Sequence, residues 1–382
     1  MTAIVYNLMK SRGLANWPDG LYHYRPSSHM TEQRALGDFG SNLVGTEDPL
    51  AFVLTTIAWR EAWKYKDRAY RYCLHDMGHA WQALALAANA MGCQSFAVGQ
   101  FEDDKIAKTC LLNDDEWPML IVKLNGSTVP RKPLDNGEPQ SLGGRPNQLS
   151  EEQIAYASIE KIHASTKLLE EPSDVERKAE AHAGSALPPS ASTNRSFGEV
   201  ARARRSALDF RGGTELISLS QLATVLSGTR EPLSADFAWR PLVQLYLYVH
   251  RVDGLAQGVY RYWQEHQELE LIKSGDQRLT AAALSLGQNL AGNACVAFSM
   301  IGDFESATRI FGDPGYRYVH FEAGAAGQRM YLAAEALGLG ATGIGAFFDD
   351  EVHRYLGLTP ERGQVVYHFA VGHPIDDPRL EA

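Results

Sequence analysis

The chain contains one segment twice. Residues 70–104, beginning Tyr70-Arg-Tyr72, align without a gap on residues 316–350, beginning Tyr316-Arg-Tyr318, at an offset of 246. Of the 35 aligned positions 15 are identical, among them Gly78/Gly324, Gln82/Gln328, Gly92/Gly338, Gly99/Gly345 and Phe101/Phe347. A weaker echo upstream matches Gly20-Leu-Tyr-His-Tyr24 to Gly258-Val-Tyr-Arg-Tyr262. A generic alanine-rich helix would not repeat both the Tyr-Arg-Tyr start and the Phe-x-Asp-Asp end. Whatever unit one copy builds the other must build too, which reads as a fused duplication.

Each copy has the same plan. An Ala/Leu-rich stretch, roughly 74–91 and 320–337, places apolar residues at i, i+3, i+4 and i+7, which predicts a buried helix. Gly92 and Gly338 stand where a left-handed residue ends such a helix. A Gly-rich turn follows, then an acidic helix start at Asp103-Asp104 or Asp349-Asp350, suited to the helix dipole. Met119–Leu124 and Val365–Val371 read as closing strands, with Leu242–Val249 and Cys295–Ile301 as further strands in the second copy. The class is α+β, a mixed sheet flanked by helices in two tandem copies.

The copies are unequal. Asn125–Asn147 is rich in Gly, Pro and Asn and reads as a loop, Glu151–Leu169 as a helix, and Glu171–Arg195 as a linker or mobile flap. A basic helix, Phe197–Phe210, opens the second copy and has no counterpart in the first. The expected division is a truncated copy over 1–125, a loop, helix and linker over 126–196, and a full copy over 197–382.

Composition narrows the classes. With 382 residues, 45% apolar, and a net charge of −10, the chain has ample core and no broad basic face for nucleic acid. Cys73, Cys93, Cys110 and Cys295 are scattered without metal spacing and read as reduced thiols. Met1–Lys10 has no basic n-region before a long apolar stretch, and no window reaches ~18 uninterrupted apolar residues. No signal peptide or membrane span is expected, and the setting expected is cytoplasmic.

Against that acidic background, Arg202, Arg204, Arg205 and Ser206 form the densest basic cluster. Guanidinium forks and a hydroxyl are phosphate-binding chemistry, though a solvated helix face is an equal reading of the local sequence. The turn Thr342-Gly-Ile-Gly-Ala-Phe347 offers backbone amides with little side chain in the way. These segments, with Leu245–Val249 and the terminal Phe369-Ala-Val-Gly-His-Pro374, resemble the FMN-dependent nitroreductase superfamily. More narrowly, the Tyr-Arg-Tyr, Gly-His, Gln, Leu-Ala-Ala and Gly-x-Phe-x-Asp-Asp pattern is similar to SagB-type dehydrogenases, which oxidise thiazolines and oxazolines to azoles in modified peptides.

The resemblance implies a nitroreductase-like fold in which the two copies form an intramolecular pseudo-dimer. It implies FMN as cofactor, with Arg204, Arg205 and Ser206 on the phosphate and ribityl chain and Gly343, Ile344, Gly345 and Ala346 along the flavin. Arg379 is a looser match to a late basic residue directed at the phosphate. The chain departs from the family where Leu208 replaces a basic residue and Ser234-Ala-Asp236 stands for a Pro-Ser-x-Gly loop.

Azole-forming members also carry a Lys-Tyr pair used in proton transfer, matched here by Lys64-Tyr65; the aligned second-copy residues are Ile310 and Phe311. One copy thus keeps the arginines and the other the ionisable pair, implying one composite site. Both groups ordinarily have a pKa near ~10, so a neutral-pH base would need a desolvated pocket. A surface helix turn is the plainer reading of the same residues. His75 and His79 have i, i+4 spacing but no third ligand in pattern, so no metal is expected. The expected activity is FMN-dependent oxidation of a heterocycle on a small molecule, peptide or carrier, with O2 as acceptor and partner enzymes of a biosynthetic set. The alternatives are an NAD(P)H-dependent nitro or quinone reductase and a non-catalytic flavin-binding scaffold. The sequence leaves open whether the fused chain forms a homodimer.

Overall fold

In the computed structural model the described residues are 4–10, 18–37, 39, 50–125, 140–144, 150–167 and 182–378. The chain divides into two compact units. The first is the chain up to Glu171 together with Leu233–Trp239 and Phe311–Phe321; the second is Pro172–Pro232, Arg240–Ile310 and Glu322–Ala382.

The first unit contains strands β1 (Ile4–Lys10), β2 (Gly20–Arg25), β3 (Met30–Leu36) and β4 (Leu50–Thr56), then helices α1 (Trp59–Tyr65) and α2 (Ala69–Ala90). Strand β5 (Gln94–Val98), helix α3 (Asp103–Thr109), β6 (Trp117–Asn125), the short β7 (Gln140–Ser141) and α4 (Ala157–Ser165) complete it. The second unit runs through β8 (Ser185–Ala186), α5 (Phe197–Ala203), β9 (Ile217–Ser218), α6 (Leu219–Arg230), β10 (Val243–Val249), β11 (Val252–Asp253), β12 (Gly258–Trp263) and β13 (Glu268–Ser274). It continues with α7 (Arg278–Leu284), α8 (Asn289–Asn293), β14 (Val296–Gly302), α9 (Phe304–Phe311), α10 (Gly315–Ala336), β15 (Gly340–Ile344), α11 (Asp349–Leu356) and β16 (Gln364–Gly372). Helix α10 starts among the residues of the first unit and ends among those of the second.

The duplication is visible in the strand order. The first sheet is β5-β6-β4-β1-β2-β3-β7 and the second β15-β16-β14-β10-β12-β13-β8, each with its named strands antiparallel. Mixed character enters at the edges: Ala235 bridges Ala97 in parallel on β5, and Ser206 bridges Ala341 in parallel on β15. Helix α2 packs across β1, β4, β5 and β6. Phe101, Ile106 and Cys110 around α3 bury the other apolar set against Val53 and Ile121. In the second unit Val352 and Leu356 of α11 close a core with Tyr248, Ala297 and Ala370.

Both repeat helices form as the apolar spacing predicts, about five residues longer at the start, and Gly92 (φ +77°) and Gly338 (φ +72°) end them left-handed. Three expectations change. Among the described residues the helix expected over Glu151–Leu169 runs over Ala157–Ser165, because Ser150 takes the Glu152 N–H into a turn and Tyr156 is still extended. The described part of the expected flap is tied down: Ser185–Ala186 pairs with β13, Ala191 donates to Thr224, and Thr193 donates to the Ala336 carbonyl. The basic helix stops at Ala203, since Arg204 turns extended (φ −51°, ψ 124°) to bring Ser206 alongside Ala341. The compact units divide near residue 171, where α4 packs with the first unit and β8 joins the second sheet. The expected loop lies mostly outside the described residues, apart from β7 and the three residues after it.

Candidate flavin site

The basic segment sits at the end of α5, a helix started by a reciprocal cap in which the Ser196 hydroxyl accepts from Glu199 N–H and the Glu199 carboxylate accepts from Ser196 N–H. Beyond Ala203 the chain runs beside β15, where Ala207 N–H donates to the Ala341 carbonyl at 2.9 Å. That pairing delivers Arg204, Arg205 and Ser206 to the edge that carries the Gly343 turn. The half-buried Arg204 guanidinium lies over the Tyr331 ring at 5.2 Å. The exposed Arg205 donates to the carbonyls of Arg202 (3.0 Å) and Arg204 (2.9 Å), which cap the helix end. The Ser206 and Tyr331 hydroxyls are 3.0 Å apart, and Gly343 N–H donates to the Tyr331 hydroxyl at 2.8 Å. Tyr331 therefore joins the two segments that the sequence set apart.

The turn is held from behind. A Cβ on Gly343 would lie 1.9 Å from the Tyr367 hydroxyl, so this position admits no side chain while Tyr367 stays in place. Gln288 donates to the Ala346 carbonyl at 3.2 Å, and Phe348 N–H donates to Leu284 at 3.0 Å. Phe347 stacks on buried His368 (4.5 Å), whose ring nitrogens lie 3.0 Å from Ser285 Oγ and 2.9 Å from Ser299 Oγ. Ile344 is buried in the core behind the turn.

Arg204, Arg205, Ser206 and the turn Gly343–Ala346 thus come together in the second unit. Arg379 lies outside the described residues. The donor set fits a phosphate: two guanidinium groups and a hydroxyl on one short segment, with the nearby carboxylates of Glu199 and Asp209 engaged by Ser196 and Asn293. Ser234-Ala-Asp236, which matched the reduced loop, belongs to the first unit. There Asp236 N–H donates to Ala97, and its carboxylate accepts from Gly99 and Gln100 N–H. Its role in this structure is to extend the β5 edge.

Lys64 and Tyr65 end α1 in the first unit. Lys66 (φ +51°) turns the chain sharply toward α2, leaving Lys64 exposed with its ammonium 5.1 Å from the Tyr65 ring. Tyr65 in turn packs on Tyr72 at 4.3 Å. The aligned Ile310 and Phe311 are buried. Tyr65 itself is half-buried. Hollows of about 490 Å³, near Trp59 and Trp117, and about 610 Å³, near Arg261 and Arg362, are lined by none of the expected site residues. His75 is buried against His320 at 5.1 Å, and among the described residues no three His, Cys, Asp or Glu side chains gather as a metal site.

Sequence reasoning missed Tyr331 and Tyr367. The signal was in the repeat: the first copy has Ala85 opposite Tyr331 and Ala97 opposite Gly343.

Two tandem α+β copies, one with an arginine–serine segment joined to a glycine turn, define a duplicated oxidoreductase fold with one such cradle among the described residues. The nitroreductase family model matches residues 24–126 and 201–373, and the chain belongs to that family. A crystal structure from Anabaena variabilis, described as a nitroreductase, shares the fold across 98% of this chain and 80% of its own, with a TM-score of 0.82 and 24% identity. A Methanocaldococcus jannaschii protein, MJ1384, also described as a nitroreductase, is 35% identical over 116 residues, covering 30% of this chain and 59% of its own. The microcin B17-processing protein McbC of Escherichia coli is 29% identical over 128 residues, 30% of this chain and 47% of McbC. The trifolitoxin operon protein TfxC of Rhizobium leguminosarum is 40% identical over 76 residues, 20% of this chain and 21% of TfxC. The chain therefore spans less than two thirds of the length of MJ1384, McbC and TfxC. The last two similarities agree with the SagB-type resemblance. No described helix is long and apolar enough to cross a membrane.

Proposed function

We propose that this nitroreductase-family oxidoreductase binds FMN in its second unit and dehydrogenates an azoline borne on a peptide or small molecule. The observation that carries the reading is the junction of Arg204-Arg205-Ser206 with the Gly343 turn through Tyr331. Similarity to a microcin B17-processing protein and a trifolitoxin operon protein supports the substrate class and a set of partner proteins.

FMN held there would supply a two-electron acceptor for the substrate C–H bond, with O2 as the final acceptor. Arg204 and Arg205 would neutralise the phosphate, and Ser206 would donate a hydrogen bond to it. The turn Gly343-Ile344-Gly345-Ala346 would lie along the ring system, held in shape by Gln288, Tyr331 and Tyr367. The SagB-type resemblance assigns proton transfer to Lys64 and Tyr65, a role that turnover of their variants tests.

The test is the flavin content of the purified chain, followed by azoline turnover. About one FMN per chain, lost in Arg205→Ala, with azole and peroxide formed in equal amounts, is the expected result. Two per chain would give the first copy a cradle of its own. Bleaching of bound flavin by NADPH with azolines untouched would make the protein a reductase. A chain that cannot be loaded with FMN would end the flavin reading.

A further inference from the structure

We propose that Tyr331 is the positioning residue that sets Ser206 as a hydrogen-bond donor toward the flavin phosphate, so that phosphate recognition depends on a side chain that never touches the ligand. The proposal rests on the flavin reading of this site.

The direction of the hydrogen bonds carries it. A backbone N–H can only donate, so in the 2.8 Å contact from Gly343 the Tyr331 hydroxyl is the acceptor. A phenol has a single proton, and the Ser206 hydroxyl stands 3.0 Å away to receive it. When Ser206 accepts from Tyr331, its own proton is directed outward, beside two guanidinium groups, where an anion would meet it. Were the Ser206 proton spent on Tyr331 instead, the hydroxyl would present lone pairs to a phosphate and repel it.

The ring is held for this task. Phe369 meets it edge-on at 4.8 Å and 83°, and the Arg204 guanidinium lies over it at 5.2 Å. The ring is thereby fixed in place with its hydroxyl within reach of both Ser206 and Gly343, and Arg204 lies over the same ring.

The duplication supplies an internal comparison. Helix α2, which matches α10, has Ala85 in place of Tyr331; β5 has Ala97 in place of Gly343; and the arginine–serine segment has no counterpart in the first copy. Strand pairing (Ala97 with Val122, Gly343 with Phe369) puts Leu120 opposite Tyr367. Tyrosine, glycine, second tyrosine and basic segment are thus present together in one copy and missing together from the other. A tyrosine needed merely to fill the helix–sheet interface would have no reason to follow the basic segment.

The experiment measures FMN and riboflavin affinities by fluorescence titration of the flavin-stripped full chain, for the natural protein, Tyr331→Phe, Ser206→Ala and the double variant. The two ligands differ only in the phosphate. The expected result is an FMN affinity about tenfold weaker in each single variant, riboflavin affinity unchanged, and no further loss in the double variant. Equal loss of both ligands in Tyr331→Phe would make the tyrosine structural and overturn the proposal. So would unchanged FMN affinity, or losses that add. If the tyrosine variant is unstable, Ser206→Ala decides on the exposed partner: an FMN-to-riboflavin affinity ratio unchanged from the natural protein refutes the role. A natural protein that binds neither ligand would remove the flavin reading itself. A natural protein that binds FMN while the variants discriminate normally would remove only the role of Tyr331.

Discussion

Arg317 donates to the Asp103 carboxylate at 2.7 Å, and the two side chains are 4% and 3% exposed. The same guanidinium donates to Thr166 Oγ1 at 2.9 Å and to the His163 carbonyl at 3.2 Å. One residue at the start of α10 thus fastens α3 and the end of α4 within the first unit. It explains why Phe311–Phe321, second-copy sequence, packs as first-unit structure. Removing one partner leaves an unmatched charge, so Asp103→Ala should destabilise the chain by about 3–5 kcal/mol. Arg317→Met together with Asp103→Leu should cost less than either single change. Urea denaturation of the three variants checks this; a double variant as damaged as the sum would show that the pair contributes by packing alone.

His163 gives that fastening a pH dependence. Its ring stacks on Trp117 at 3.9 Å, and its Nδ1 accepts from Arg317 at 3.3 Å. Burial, then the charges of Arg317 and Lys167, push its pKa down to about 2. The folded value is below the unfolded one, near 6.5, so the unfolded chain binds the extra proton as acid is added. The neutral ring's contribution is complete above pH ~6.5 and declines as pH falls toward 2, by roughly 1.4 kcal/mol per pH unit from this group. His163→Gln should therefore flatten the stability profile between pH 6.5 and 5. Urea midpoints at those two values measure it, and an unchanged slope would assign the acid sensitivity elsewhere.

The repeat made the architecture legible. Identical glycines at identical spacing require equivalent turns, and both sheets have the same strand order. The basic segment and the Gly343 turn stood out in the sequence, and the pairing of Ala207 with Ala341 brings them side by side. The exchange of Leu233–Trp239 and Phe311–Phe321 into the first unit was not legible. It depends on long-range contacts, such as Tyr318 donating to the Gly99 carbonyl and Phe237 stacking on Tyr318 at 4.4 Å, which leave no local periodicity. The end of α5 was missed for a similar reason. Nothing in Arg204-Arg205 breaks a helix; pairing with Ala341 does.

Gly343 and Tyr367 should behave as a coupled pair. Gly343→Ala places a methyl 1.9 Å from the Tyr367 hydroxyl and 2.7 Å from Cζ, forcing the ring or the strand to move. A loss of about 1–3 kcal/mol is expected, with weakened flavin binding because the turn shifts. Tyr367→Phe removes the nearer atom and should restore part of the loss in the double variant. Thermal melts with flavin titration of the set measure this; independent effects would place the strain elsewhere.

Lys64 and Tyr65 provide the sharpest separation of chemistry from structure. Lys64 is exposed and its contact with the Tyr65 ring is a 5.1 Å cation–π approach, so Lys64→Ala should alter stability by no more than about 0.5 kcal/mol. If the pair accepts the substrate proton, the same change should lower azoline turnover by about 100-fold or more while flavin content stays that of the natural protein. Tyr65→Phe retains the ring packed on Tyr72 and deletes the hydroxyl, so it should reproduce the kinetic loss without the packing change. Steady-state rates beside bound-flavin spectra decide. Full turnover in both variants would move the proton acceptor to another residue, and loss of flavin in either would make α1 a structural support.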